Sequence, residues 1–114
     1  MHELSIAMSI IDIAEEEAER LGNPAVISVR LKLGKLSGVV REALESAFEL
    51  AREETVLAQS MLVIEEVPIV VYCLTCQAEQ TIDSIQLCCP QCGAACGDIR
   101  GGRELEVTGL EIQE

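Results

Sequence analysis

Aromatic side chains are almost absent from this 114-residue chain, which has no tryptophan, one tyrosine (Tyr72) and one phenylalanine (Phe48). Its core must therefore be aliphatic, and it has almost no material for a surface on which nucleic-acid bases could stack. Positive charge is scarce too. Eight Lys and Arg face twenty Asp and Glu, a formal net charge of −12, the wrong sign for gripping phosphate backbones or anionic lipid. Neither a nucleic-acid nor a membrane partner is expected. No apolar run approaches the roughly 18 residues that a membrane helix needs, and no basic stretch precedes the first apolar residues. The expectation is a soluble, cytoplasmic protein. At this length it fits one domain, or one domain carrying a small second module.

What the chain does have is cysteine, and in one place. All six cysteines lie between Cys73 and Cys96. In a reducing compartment clustered thiols more often hold metal than form disulfides. So sharp a change in composition marks residues 73–98 as a metal-binding module and leaves residues 1–72 plus 99–114 as an α/β domain.

The flanking sequence has two periods. Leu4, Ala7, Met8, Ile11, Ala14, Ala18 and Leu21 recur every three or four residues, predicting an amphipathic helix over 5–21 that Gly22-Asn23-Pro24 stops. Ile27, Val29, Leu31 and Leu33 then alternate with polar residues, as a half-buried strand does. Helical spacing returns at Val40, Ala43, Leu44, Ala47, Phe48 and Ala51 and is expected to run to about residue 58. Residues 61–72 read as strand, interrupted by Pro68, which cannot donate to a ladder. Leu105 and Val107 begin a closing strand whose alternation slips at Thr108-Gly109, as a bulge would make it. The fold class expected is α+β: a two-layer sandwich of two helices on a roughly three-stranded sheet, with an inserted zinc-ribbon-like module.

Inside that module, Cys73-Leu74-Thr75-Cys76 and Cys89-Pro90-Gln91-Cys92-Gly93 are two C-x2-C pairs separated by twelve residues. Two residues between thiolates let a tight turn aim both sulfurs at one ion, and two such turns complete a tetrahedron. Zinc is the metal expected at Cys73, Cys76, Cys89 and Cys92, with iron its competitor. A disulfide scaffold or a redox pair is the alternative, but neither C-x2-C opens a helix after a strand. Four protein ligands leave no open position, so the site is structural and not catalytic. Cys88 and Cys96 are spare, and Cys89 is preferred to Cys88 because it belongs to the Cys-Pro-x-Cys-Gly turn.

The one histidine is His2. A terminal histidine is commonly without a role. Here, however, the Met1 amine, the backbone nitrogens of His2 and Glu3, the imidazole and the Glu3 carboxylate can all reach one ion. Nickel(II) accepts square-planar or tetragonal nitrogen and oxygen donors, so Met1, His2 and Glu3 form a candidate nickel site. No phosphate-binding glycine loop and no serine, cysteine and histidine set supports an enzyme.

Taken together, the Met1-His2-Glu3 opening followed by Ser5, Gly34-Lys35-Leu36-Ser37, Ser46-Ala47-Phe48-Glu49, the paired C-x2-C motifs and Gly102-Arg103-Glu104-Leu105 resemble the HypA/HybF family of nickel metallochaperones over essentially the whole chain. The resemblance implies a cytosolic accessory protein that delivers nickel to a nickel-iron hydrogenase large-subunit precursor. It would work with a HypB-type GTPase and, in some organisms, with urease accessory proteins. It also carries nickel onto His2 and Glu3 and zinc onto the four cysteines. Two positions depart from the pattern. Val40 stands where some relatives have an aspartate as a further nickel ligand, and Gln77 and Gly93 stand where some have a histidine after each C-x2-C. A histidine-exchanging, pH-sensing zinc site is therefore not expected. The competing reading from the residues is a zinc-ribbon adaptor for protein contacts without metal transfer; an electron carrier would need iron in the cage.

Overall fold

The computed structural model describes residues 2–114. In chain order the elements are α1 (Glu3–Arg20), β1 (Val26–Gly34), α2 (Arg41–Ala51), β2 (Met61–Val67), β3 (Ile69–Cys73), β4 (Ala78–Ile82), β5 (Asp98–Gly101) and β6 (Leu105–Ile112). They form two three-stranded sheets, ordered β2-β1-β6 and β4-β3-β5. The chain divides into two compact units, one comprising the chain to Lys32 with Val39–Glu65 and Glu106–Glu114, the other Leu33–Gly38 and Glu66–Leu105. The second unit is wider than the 73–98 read from cysteine density. β3 and β5 flank the cysteines and pair with each other, so both belong with them. Among the described residues no helix is long and apolar enough to cross a membrane.

In the first unit α1 buries Ala7, Ile10, Ile11, Ala14 and Ala18, the three-and-four spacing of one helical face. It ends where the sequence says it should. The Gly22 amide donates to Glu19 O (3.1 Å) and the Asn23 amide to Ala18 O (2.7 Å), while Gly22 takes a φ of 92°. That pair of bonds satisfies the orphan carbonyls of the last turn and needs a residue without Cβ at the left-handed position. α2 turns Leu44 and Phe48 inward, and Phe48, only 1% exposed, is the largest side chain of a core otherwise built from aliphatic residues.

α2 stops at Ala51, seven residues short of the expected end near residue 58. The Thr55 hydroxyl donates to Arg52 O (2.6 Å) and accepts from the Leu57 amide (3.0 Å), and Glu54 takes a φ of 63°. A side chain that competes for backbone groups in this way ends a helix despite a favourable apolar period. The detour places Leu57 in the core and buries Ser60, whose hydroxyl donates to Val26 O.

β6 runs antiparallel to β1, since the Gln113 amide donates to Ala25 O and the Thr108 hydroxyl to Arg30 O. Val107, Leu110 and Ile112 all pack on the core although Val107 and Leu110 are an odd number of residues apart. The phase slip thus falls at Thr108-Gly109. Pro68 separates β2 from β3, as its missing amide hydrogen requires.

The second unit carries the sheet that hydrophobic periodicity did not reveal. β4 is Ala-Glu-Gln-Thr-Ile and β5 is Asp-Ile-Arg-Gly, both too short and polar to show a period of two. β3 is antiparallel to both, in register from Ile69 opposite Ile82 to Cys73 opposite Ala78 on one side, and with Val71 opposite Ile99 on the other. Ile69, Val71, Cys73, Ile82, Cys89 and Cys96 form its small core. Leu33–Gly38 joins this unit through tight backbone contact. The Gly34 amide donates to Glu104 O (2.7 Å) and the Leu36 amide to Gly102 O (2.6 Å). A Cβ on Gly34 would overlap the Gly102 carbonyl and lie 2.6 Å from Glu104 N, so no other residue fits.

Candidate metal centre

Cys73 ends β3 and Cys76 sits in the turn to β4. The turn closes on itself: the Cys76 amide lies 3.4 Å from Cys73 Sγ, and Gln77 reverses the chain with a φ of 53°. The second pair is built alike. The Gly93 amide donates to Cys89 O (2.8 Å), the Cys89 amide to Ala94 O (2.8 Å) and the Cys96 amide to Leu87 O (2.7 Å), with Gly93 at φ 76°. Each turn offers one buried sulfur (Cys73, Cys89) and one exposed (Cys76, Cys92).

The four sulfurs lie within 4.8 Å of one another. Cys73 Sγ is 3.6 Å from Cys92 Sγ, and Cys76 Sγ is 3.9 Å from Cys89 Sγ. A tetrahedron with metal–sulfur bonds of about 2.3 Å has an edge of about 3.8 Å, so both pairs match the edge of a cage around one ion. They are far beyond the roughly 2.05 Å of a disulfide, and all six thiols are free.

The charges point the same way. The amide of Cys76 draws the Cys73 thiol down to about 6. Cys76 is pushed up to about 12 by Cys92, with Cys73 and Cys89 adding to it. Thiols packed this closely resist shared ionisation unless a cation sits among them, and a divalent ion that takes four thiolates in a tetrahedron meets that need. The donor set fits structural zinc, which would be held by Cys73, Cys76, Cys89 and Cys92 and would supply a rigid crosslink between the two turns.

The two spare cysteines separate cleanly. Cys88 is exposed, with its sulfur on Gln86 O at 3.5 Å, and stays outside the cage. Cys96 is buried beside Cys73 and Cys89 in the module core, where burial, and then the neighbouring Cys73, pushes its thiol up. Cysteine spacing gave no sign that Cys96 would be a core residue.

At the other candidate site, Met1 lies outside the described residues. His2 is exposed at the N-cap of α1 with φ −88° and ψ 72°, and its side chain makes no capping bond. The first helical bond runs from the Ile6 amide to His2 O (3.1 Å). The Glu3 nitrogen, one of the first-turn amides, therefore precedes the ladder and has no carbonyl partner within α1. Glu3 is half-buried, and its carboxylate accepts the Val40 amide at 3.2 Å. That bond holds the Glu3 carboxyl below the usual carboxylate range. No residue pattern announces this contact, because the donor is main chain.

Comparison with known proteins agrees over the whole length. The family model described as hydrogenase/urease nickel incorporation, metallochaperone, hypA matches residues 1–112. A hydrogenase maturation factor HypA from Chloroflexus aggregans is 48% identical over 112 residues, covering 97% of this chain and 98% of the relative. Its counterpart from Roseiflexus is 49% identical over 115 residues, covering 100% and 94%. Among solved structures, a solution structure of a HypA protein superposes with a TM-score of 0.72 at 27% identity, covering 99% of this chain and 97% of that one. The solution structure of the Ni metallochaperone HypA from Helicobacter pylori superposes with a TM-score of 0.66 at 25% identity, covering 98% and 97%.

Proposed function

The chain belongs to the HypA family of hydrogenase/urease nickel-incorporation metallochaperones, and on that premise we propose that it carries nickel(II) on Met1, His2 and Glu3 and releases it to a nickel-iron hydrogenase large-subunit precursor. Its work is selective loading and handover, with no catalytic turnover. The first unit, which contains α1 and α2, does the carrying, and the second, held by zinc at Cys73, Cys76, Cys89 and Cys92, is structural.

One observation supports the nickel reading above the others. α1 begins at Glu3, so His2 stands beside backbone nitrogens that no helical bond consumes. A flat nitrogen-donor set needs such amides together with the imidazole. Geometry must supply the selectivity, since the ordinary affinity order favours copper over nickel. Acid opposes loading, because nitrogen donors bind a metal only in their deprotonated form.

The partners that fit this reading are a HypB-type GTPase and the hydrogenase large-subunit precursor, with urease accessory proteins where the host makes urease, all in a reducing cytoplasm. The net charge of −12 suits contact with basic faces on those partners. The test is a nickel titration of protein with its native N-terminus, beside His2→Ala and beside a short Gly-Ser extension ahead of Met1. Both changes should abolish tight nickel binding while zinc content and thermal unfolding stay at parental values. If both variants bound one nickel as the parent does, the adaptor reading would replace this one.

A further inference from the structure

α2 starts at a residue whose side chain cannot cap it. Val40 is its N-cap, at φ −84° and ψ 116°, and valine has no oxygen to turn back on the helix. The acceptor comes instead from the start of the chain, where Glu3 Oε2 lies 3.2 Å from Val40 N. A carboxylate is favoured there for two reasons. It satisfies an N–H that the helix cannot, and it sets negative charge at the positive end of the helix dipole. Glu3 is also the first residue of α1. One residue therefore belongs to the beginnings of both helices, its nitrogen ahead of one ladder and its carboxylate on the other.

We infer that Glu3 divides its labour: its backbone nitrogen serves the nickel cargo, while its carboxylate, held by the Val40 amide, positions the nickel-binding segment on α2 and is not itself a metal ligand. This rests on the N-terminal nickel site proposed above. Its physical basis is conformational entropy. A free terminus must be ordered before several of its atoms can meet one ion, and a tether on the residue next to His2 prepays part of that ordering. Position 40 then acts through its main chain. Its side chain is 55% exposed and has no donor atom to offer.

Nickel titration calorimetry on the full zinc-loaded chain with a native N-terminus tests this, with Glu3→Ala, Glu3→Gln, Val40→Pro, the Glu3→Ala/Val40→Pro double variant and His2→Ala. Proline removes the amide hydrogen at a backbone it can adopt: the φ of −84° is close to its own, and the Val40 carbonyl still accepts from the Leu44 amide at 3.0 Å. Glu3→Ala and Val40→Pro should each weaken nickel about tenfold, and the double variant no more than either, because both remove one and the same bond. Glu3→Gln keeps an acceptor oxygen and should bind within about threefold of the parent. Zinc content and helical circular dichroism should be unchanged throughout. If Val40→Pro loses helix, the Glu3→Gln and Glu3→Ala pair decides alone. Gln as weak as Ala would make the carboxylate a ligand and overturn the inference, as would Ala binding like the parent. Parental binding by His2→Ala would instead remove the nickel site itself, a separate failure.

Discussion

Gly34→Ala is the substitution that the structure constrains most tightly. The added Cβ would overlap the Gly102 carbonyl and stand 2.6 Å from Glu104 N, and both obstacles are backbone. Relief requires the two segments to part by on the order of 1 Å, which overpacking data place at about 1–3 kcal/mol. The same movement stretches the Gly34–Glu104 and Leu36–Gly102 hydrogen bonds, now 2.7 and 2.6 Å, worth about 0.5–1.5 kcal/mol each. The sum, roughly 2–6 kcal/mol, should lower the melting temperature of the zinc-loaded protein by roughly 10 °C or more. Gly109→Ala is the control, because nothing lies within 4 Å of its added Cβ, and it should stay within about 0.5 kcal/mol of the parent. Thermal and urea unfolding followed by circular dichroism read both variants. A Gly34→Ala protein as stable as Gly109→Ala would refute the close approach, and with it the account of how residues 33–38 are fastened to the second unit.

Elemental analysis should find one zinc per chain; Cys76→Ser and Cys92→Ser should lose it and unfold the β4-β3-β5 sheet while α1 and α2 persist, whereas Cys88→Ser should keep it, since Cys88 lies outside the cage. Iron in reduced protein would contradict zinc as the metal, and zinc retained by Cys76→Ser would contradict the cage. Nickel affinity should fall on acidification, because protons compete with the metal for nitrogen donors, with zinc responding less; an acid-insensitive affinity would show that His2 is not a ligand. The Asp98 carboxyl, held below its ordinary 3.8 by a hydrogen bond from Arg100, is the depressed-carboxylate case. Its stabilisation is present above the unfolded pKa and is lost as pH falls through the lower folded one. An NMR titration should show the Asp98 midpoint rising in Arg100→Ala, and an unmoved midpoint would mean the pair is not formed in solution.

Much of this was legible in the chain itself. The three-and-four spacing from Ala7 to Ala18 and the stop at Gly22 reappear as α1 and its closing bonds, because a helical face and a left-handed turn are local properties. Pro68 divides two strands for the same kind of reason. Cys89 enters the cage in preference to Cys88, as the Cys-Pro-x-Cys-Gly turn implied, because a C-x2-C spacing fixes which two sulfurs one turn can aim together. Other features were hidden. The apolar period of α2 promised several further residues, but Thr55 bonds to backbone on both sides and ends it. β4 and β5 were invisible because four or five mixed residues carry no period, and only their pairing with β3 makes them strands.

The sequence by itself determined the metal chemistry. It depends on donor type and on spacings of two or three residues, which short stretches of backbone enforce wherever they fold. Only the tertiary structure could decide which distant main-chain groups meet. Gly34 against Gly102, Cys96 inside the module core and the Val40 amide on the Glu3 carboxylate join residues tens of positions apart. Two of the three involve backbone atoms that every residue carries, so nothing in the side-chain pattern marks them. They exist because folding must find a partner for each amide and a space for each atom, and that account closes only when the whole chain is packed.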